Sequence, residues 1–180
     1  MFPKAHAAAY VMMAWRIAYC KINYPLAYYA SFFSIRASGF SYEIMCQGQQ
    51  HLQNVMADYK RRSDELSKKE QDTYKDMRIV QEMYARGFEF MPIDIFSAQA
   101  RLFQVVNDRQ IMPSLSSIDG MGEKAADAVV EAAKDGPFLS KDDFRERTKV
   151  SSTITDLLDR LGLLGDLPES NQISLFDFVS

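Results

Sequence analysis

The chain is poor in residues that would form disulfides, bind metals or anchor it in a membrane. It has two cysteines, Cys20 and Cys46, in helical-looking segments with apolar neighbours and without a partner at metal-ligand spacing. We therefore expect reduced, structural thiols, as is typical of a cytosolic protein. No apolar run reaches the ~20 residues that span a bilayer, and no long apolar stretch follows Lys4 as in a signal peptide. These absences predict a cytoplasmic protein without a membrane partner.

The sequence also lacks a recognisable catalytic centre. Nucleotidyl transfer requires clustered carboxylates that hold two metal ions, and no Asp-x-Asp or comparable arrangement is present. The two histidines, His6 and His51, are far apart and have no serine or cysteine partner in a recognisable arrangement. We therefore predict that this chain contains no catalytic residue, no metal ligand and no cofactor site of its own.

Charge is distributed unevenly along the chain. The formal net charge is −3, but residues 1–62 carry seven Lys/Arg against two Asp/Glu, which leaves 14 against 22 in residues 63–180. A basic first third could face nucleic acid. The alternative is that Arg16, Lys21 and Arg36 only solubilise the outer faces of helices.

Hydrophobic periodicity predicts a mainly helical fold. One helix from Pro3 to Cys20 and a second that runs from Pro25 and stops near Gly39 form a pair rich in aromatic residues. These aromatics either fill a core or line a nucleotide site. Ser41 and the capping box Ser67-x-x-Glu70 are predicted to start further helices. The apolar stripe of the first helix consists of Ala7, Ala8, Val11, Ala14, Trp15 and Ala18.

Residues 88–113 are predicted to form a small β element. Phe88–Ile93 alternates or extends, and Leu102–Val106 and Ile111–Pro113 flank a four-residue turn at Asn107–Gln110. This pattern predicts a β-hairpin. Because Pro113 lacks a backbone donor, we expect its strand to lie at an edge of the sheet.

Two glycines one residue apart, Gly120 and Gly122, mark a corner between two short helices. Leu115 and Ile118 supply the inner face of the first helix. The inner face of the second is formed at helical spacing by Ala126, Val129, Val130 and Ala133. Glycine adopts positive φ without steric cost, and a Gly-x-Gly corner at a helix start leaves backbone N–H groups that can hold a phosphate. The corner therefore predicts binding to a nucleic-acid backbone.

The alternative is a tight turn that only packs two helices together. Asp119, Glu123 and Asp127 favour this alternative because their carboxylates repel phosphate. Lys124 is the sole compensating charge that we expect there.

The last quarter of the chain predicts a second hairpin and a tail. Helices capped by Ser140 and by Ser151 or Ser152 form a degenerate copy of the first hairpin, with Lys149–Ser152 at the place of the glycine corner. Residues 163–170 have the composition of a linker. The apolar segment Gln172–Phe178 either docks into a partner's groove or folds back on the parent domain.

Together these residues resemble the C-terminal region of the PolC-type alpha subunit of bacterial DNA polymerase III, a C-family replicative polymerase. Phe2–Tyr10 is similar to the family's F-x-K-x-H-A-A-A-Y segment in the fingers, and Tyr24–Ala30 to the helix pair that follows it. Ile118–Ala126 is similar to its helix-hairpin-helix, and Gln172–Phe176 to its sliding-clamp-binding pentapeptide. The proline at position 3 and a clamp peptide at the extreme C-terminus favour the PolC type.

The resemblance implies a mainly α protein with three parts. These are a helical fingers piece in residues 1–87, a small β-hairpin element with a tandem helix-hairpin-helix module in residues 88–164, and a linker with a clamp-binding tail in residues 165–180. The catalytic palm with its magnesium ions and the proofreading exonuclease would lie upstream, so this chain alone would be inactive. Without the palm, the faces of Trp15 and Phe33 would be exposed.

The resemblance also implies site residues and partners. DNA would be held by Gly120, Gly122 and Lys124, and Lys4 and His6 would lie near the incoming nucleotide. The clamp-binding residues would be Gln172, Ser174, Leu175 and Phe176. The implied partners are duplex DNA bound independently of sequence, the sliding clamp and the remainder of the polymerase chain. The alternative is a stand-alone, non-enzymatic helix-hairpin-helix DNA-binding or adaptor protein.

Overall fold

The structure is a computed structural model that describes residues 3–170. Its first half consists of the helices α1 (Lys4–Asn23), α2 (Pro25–Ile35), α3 (Tyr42–Met45), α4 (Gln49–Arg61) and α5 (Lys68–Ala85). The strands are β1 (Glu89–Phe90), β2 (Gln104–Val105) and β3 (Gln110–Met112). The last helices are α6 (Glu123–Ala133), α7 (Lys141–Thr148) and α8 (Ser152–Arg160), and short 3-10 turns lie at Ser63–Glu65 and Leu115–Ser117. The predicted mainly helical class with a small β element is confirmed.

Serine side chains determine where four helices begin. Ser67 Oγ accepts a hydrogen bond from the Glu70 amide (3.3 Å), while the Ser67 amide donates to Glu70 Oε2 (2.8 Å), which confirms the predicted capping box. Ser41, Ser140 and Ser151 accept from backbone amides at the starts of α3, α7 and α8. Each of these caps satisfies a first-turn amide that the helix itself leaves unpaired.

The sheet confirms the predicted hairpin but not the predicted edge. β2 and β3 are antiparallel, with Gln104 opposite Met112, whereas β1 and β3 are parallel, with Glu89 opposite Gln110. β3 is therefore the central strand, and the prediction that Pro113 marks an edge is wrong. Pro113 follows the last residue of β3, so its missing N–H removes no hydrogen bond from the ladder.

A first hydrophobic cluster joins α2, α4 and α5 to the sheet. Its aromatic centre includes Phe33, Phe90 and Phe103, whose ring centroids lie 5.5 to 6.3 Å apart. Tyr29 and Phe33 are buried, so the aromatic face of α2 belongs to this core. The expectation that Phe33 is exposed is therefore wrong.

Helix α1 lies on the surface of this cluster. It contributes no buried residue, and 74% of the Trp15 side chain is exposed, as predicted. Its last turn is tied to α5, because Lys21 Nζ lies 2.7 Å from Glu82 Oε2 and Arg86 donates to the Lys21 carbonyl at 3.1 Å. The apolar stripe of α1 consequently faces outward along most of the helix.

A second hydrophobic cluster holds the two hairpins together. Its fully or almost fully buried members include Leu115, Ile118, Val129, Phe144 and Leu158, which come from the 3-10 turn, its following loop, α6, α7 and α8. The inner faces predicted for both hairpins thus meet in one core. Within residues 3–170, no helix is both long enough and apolar enough to cross a bilayer.

Candidate nucleic-acid interface

The glycine corner has two glycines with different conformations. Gly120 has φ +92°, which favours glycine, whereas Gly122 has φ −70° and ψ 156°, which any residue adopts. Between them Met121 is buried, and its amide donates to the Ile118 carbonyl at 3.0 Å. Only Gly120 is therefore required by backbone geometry, while Met121 anchors the corner in the second cluster.

Gly122 leaves the start of α6 open. It is the N-cap residue of this 11-residue helix, and it supplies no side-chain hydrogen bond to the first turn. A Cβ atom added at Gly122 would meet nothing within 4 Å. Gly120, Gly122 and Lys124, the three predicted DNA-binding residues, are all exposed at this corner. The first-turn amides, which have no intrahelical carbonyl partner, are thus accessible to an anion.

The second hairpin has the opposite arrangement at its corner. Lys149 adopts the left-handed conformation, with φ 57°, where the first hairpin has a glycine. Ser151 then caps α8, because its Oγ accepts from the Ile154 amide at 3.4 Å. The Ile154 amide in the first turn of α8 is therefore hydrogen-bonded to a side chain, whereas the first turn of α6 has no such cap. Of the two corners, only the first presents an uncapped helix start.

The acidic residues around the first corner have cationic partners. Arg101 Nε lies 3.6 Å from Glu123 Oε2, and its guanidinium also donates to the Asp127 carboxylate. Asp119 Oδ1 lies 3.9 Å from Lys69 Nζ. The prediction that Lys124 is the sole compensating charge is therefore wrong. Arg101 and Lys69 are distant in sequence from the corner, which is why local sequence did not reveal them.

Backbone hydrogen bonds fix the segment that carries Arg101 beside the first hairpin. The amide of Leu115 donates to the Gln99 carbonyl at 3.1 Å, and the amide of Ser116 donates to the Ala100 carbonyl at 2.9 Å. The segment is thus joined to the 3-10 turn that opens the hairpin. Arg101 consequently approaches the start of α6 from a position determined by the fold.

The other predicted site residues lie apart from this corner or outside the described residues. Lys4 and His6 are exposed on the first turn of α1, where the His6 ring packs edge-on against Tyr10 with centroids 4.5 Å apart. The clamp-binding residues, within Gln172–Phe176, lie outside residues 3–170. In the described part of the chain, no group of three or more His, Cys, Asp or Glu residues could hold a metal ion.

An apolar groove of about 880 Å³ is lined by residues of both α1 and α2. Ile17, Phe32 and Ile35 line it, and Arg16 and Arg36 contribute positive charge. The groove lies at the helix pair whose basic character the sequence indicated. Lys4 and His6 are not among its lining residues.

The buried Met121, the uncapped first-turn amides and the paired hairpins define a helix-hairpin-helix protein. The family model for the helix-hairpin-helix motif matches residues 87–173. The chain is 45% identical over 179 residues to the DNA polymerase III PolC-type of Streptococcus pneumoniae serotype 2 (strain D39 / NCTC 7466) and to that of Streptococcus sanguinis (strain SK36). The PolC-type enzyme of Streptococcus pyogenes serotype M5 (strain Manfredo) is 44% identical over the same length. Over almost its whole length the chain is therefore similar to a segment of PolC-type DNA polymerase III.

These matches cover 98% of this chain but only 12% of the length of each relative. The chain thus corresponds to one segment of much longer polymerases. The similarity favours the polymerase interpretation over an unrelated adaptor protein.

Proposed function

We propose that this chain is the part of a PolC-type DNA-directed DNA polymerase that positions duplex DNA and tethers the enzyme to the sliding clamp. The observation that carries the proposal is the uncapped, exposed start of α6 in a chain that is 45% identical to such polymerases. A cytoplasmic location agrees with this role.

DNA contact at the corner is expected to be independent of sequence. The first-turn amides at Gly122–Lys124 would hold a phosphate of the duplex, and the exposed Lys124 ammonium would add an attractive charge. Contacts to phosphate position a protein on DNA without reading its bases. A single corner offers few such contacts, so we expect an affinity typical of non-specific binding, with a Kd on the order of 10⁻⁴ to 10⁻⁶ M.

The tail, residues 165–180, would raise the effective strength of this weak contact. Its segment Gln172–Phe176 would dock into the clamp, with Leu175 and Phe176 in the pocket and Gln172 hydrogen-bonded at the rim. Because a clamp encircles DNA, docking would keep the corner close to the duplex. Such linkage strengthens overall binding by about 10²-fold or more without a new contact.

Helix α1 is the surface on which we expect the remainder of the polymerase chain to pack. Val11, Trp15 and Ile22 are each more than half exposed, and a continuous apolar patch of this kind is typical of an interface. The relatives extend far beyond the matched segment, so they contain chain that could cover it. Lys4 and His6, on the same helix, would then lie near the incoming nucleotide.

Catalysis is assigned to the rest of the polymerase and not to this segment. The carboxylates that hold magnesium would lie in the palm, so the isolated chain is expected to be inactive. Incubation with magnesium, primed template and nucleotides tests this assignment. Templated primer extension by the purified chain would contradict it.

The DNA contact is tested by titrating short labelled duplexes of two unrelated sequences with the full chain. We expect equal affinities for both sequences. Lys124→Ala should weaken binding and reduce the slope of log K against log salt concentration by about one. Lys134→Ala is the matched control, because it removes the same charge from the far end of α6, about 15 Å away at 1.5 Å per residue. Different affinities for the two sequences, or equal effects of both variants, would contradict the proposed contact.

A further inference from the structure

Arg101 is the one cation that contacts two carboxylates beside the open start of α6, within the described residues. It reaches Glu123, the first residue of α6, at 3.6 Å, and it donates to Asp127 one turn further on. We infer that Arg101 is a positioning residue for DNA binding, which keeps these two carboxylates from competing with phosphate. The inference rests on the proposed DNA contact and adds to it a residue that does not itself have to touch DNA.

The physical argument starts from the helix end. A carboxylate near the first turn of a helix is attracted to the same exposed amides and partial positive charge that would bind phosphate. Glu123 lies in that first turn, and its side chain is 70% exposed. Without a partner it could approach the amides itself and would repel an incoming phosphate. Its contact with Arg101 instead draws the carboxylate to the side and compensates its charge.

The backbone that leads to Arg101 is held in place independently of this ion pair. Hydrogen bonds from Leu115 and Ser116 to the carbonyls of Gln99 and Ala100 attach the preceding residues to the 3-10 turn of the same hairpin. The backbone next to Arg101 is therefore held beside this hairpin without the ion pair. The pairing occurs in the chain alone, so it prepares the corner before DNA arrives.

Arg101→Ala is the direct test, made in the full chain with a short labelled duplex. The variant leaves two uncompensated charges near the corner, so we expect affinity to fall about fivefold at low salt. We expect the triple variant Arg101→Ala/Glu123→Gln/Asp127→Asn to restore affinity at least to that of the wild type. The slope of log K against log salt should change by less than one, because Arg101 makes no phosphate contact of its own.

Three results would overturn the inference. If Arg101→Ala binds like the wild type, the pairing has no role in DNA binding. The second result is a loss of affinity in Arg101→Ala that the triple variant does not restore, together with a slope that is smaller by about one. That combination would mean that Arg101 contacts phosphate directly. Lys134→Ala removes a paired lysine from the far end of α6 and controls for net charge. An equal loss in that control would assign the effect to net charge alone.

The wild-type titration separates failure of the inference from failure of the proposed function. If the wild type shows no duplex binding, both are wrong. If the wild type binds and Lys124→Ala weakens binding, but Arg101→Ala does not, only the inference is wrong. Circular dichroism of each variant confirms that the fold is retained.

Discussion

The Ser41 hydroxyl donates a hydrogen bond to the Asp119 carboxylate, which joins two residues 78 positions apart. Ser41 is also the N-cap of α3, where its oxygen accepts from the Ile44 amide at 3.4 Å. Asp119 immediately precedes Gly120 at the glycine corner. The hairpin is therefore held against the α3–α5 part of the chain, and the carboxylate that the sequence marked as repulsive towards phosphate has a structural partner.

A double-mutant cycle on Ser41 and Asp119 should reveal this link. Ser41→Ala removes both the cap of α3 and the bond to Asp119, so we expect a loss of about 1–3 kcal/mol in unfolding free energy. Asp119→Ala should lose less, because it leaves the cap intact. Urea unfolding of the two single variants and the double variant would yield a coupling energy of at least about 0.5 kcal/mol. Strictly additive effects would contradict a direct link.

Gly39 should tolerate no side chain. A Cβ atom there would lie 2.3 Å from the Thr73 amide nitrogen and 2.6 Å from the Asp72 carbonyl carbon, both in the backbone of α5. Gly39→Ala should therefore destabilise the fold by about 1–3 kcal/mol, as expected for overpacking against atoms that cannot move aside. Gly122→Ala is the control, because that position is open and has negative φ. Equal stability of the two variants in thermal unfolding would contradict the close approach.

Asp76 should make stability depend on pH. Its carboxylate is buried, and although it accepts from the Gly39 amide at 2.7 Å, desolvation by burial raises its pKa above the ordinary value of 3.8. The folded state therefore retains the proton to higher pH than the unfolded chain. The stability that Asp76 contributes is present below pH 3.8 and is lost as pH rises through the raised folded pKa.

Unfolding of the wild type and of Asp76→Asn across this pH range tests the direction in which Asp76 makes stability change with pH. As pH rises from about 4, we expect the unfolding free energy of the wild type to fall relative to that of the variant. Asp72→Asn is the matched control on the same helix. The hydrogen bond from Lys75 lowers the pKa of Asp72, so the stability that Asp72 contributes is lost as pH falls and not as pH rises. Parallel pH profiles for the wild type and Asp76→Asn would contradict the raised pKa.

Features that depend on neighbouring residues were predictable from the sequence, and contacts between distant segments were not. The caps at Ser41, Ser67, Ser140 and Ser151 involve residues only three positions apart, so local sequence contains the whole interaction. The central place of β3 was missed because it depends on parallel pairing with β1, across a segment without clear periodicity.

The same distinction between local features and distant contacts applies to the candidate site. The exposed corner at Gly120–Lys124 follows from glycine spacing and helix periodicity. Arg101 was missed because it lies 26 positions before Asp127, in a segment whose path is set by backbone hydrogen bonds to the 3-10 turn. The outward apolar face of α1 was visible as a stripe, but a stripe does not show whether its partner lies within the same chain.

The tail should bind the sliding clamp through two side chains. We expect Leu175→Ala/Phe176→Ala to lose clamp binding in a calorimetric titration, because both side chains would fill the apolar pocket. The thermal unfolding temperature should stay unchanged. Phe178→Ala is the matched control, since it removes an aromatic ring just outside the pentapeptide. Retained affinity in the double variant, or an equal loss in the control, would contradict this assignment.

The most direct test of the central claim is the affinity of Gly122→Ser for duplex DNA. The open space around Gly122 admits the new side chain, and a serine there would cap α6 as Ser151 caps α8. We predict that the variant is more stable than the wild type by about 0.3 kcal/mol. Because its hydroxyl would occupy an amide that phosphate requires, we also predict that it binds duplex DNA several-fold more weakly. A variant that is more stable and binds DNA as tightly as the wild type would contradict phosphate binding at this corner.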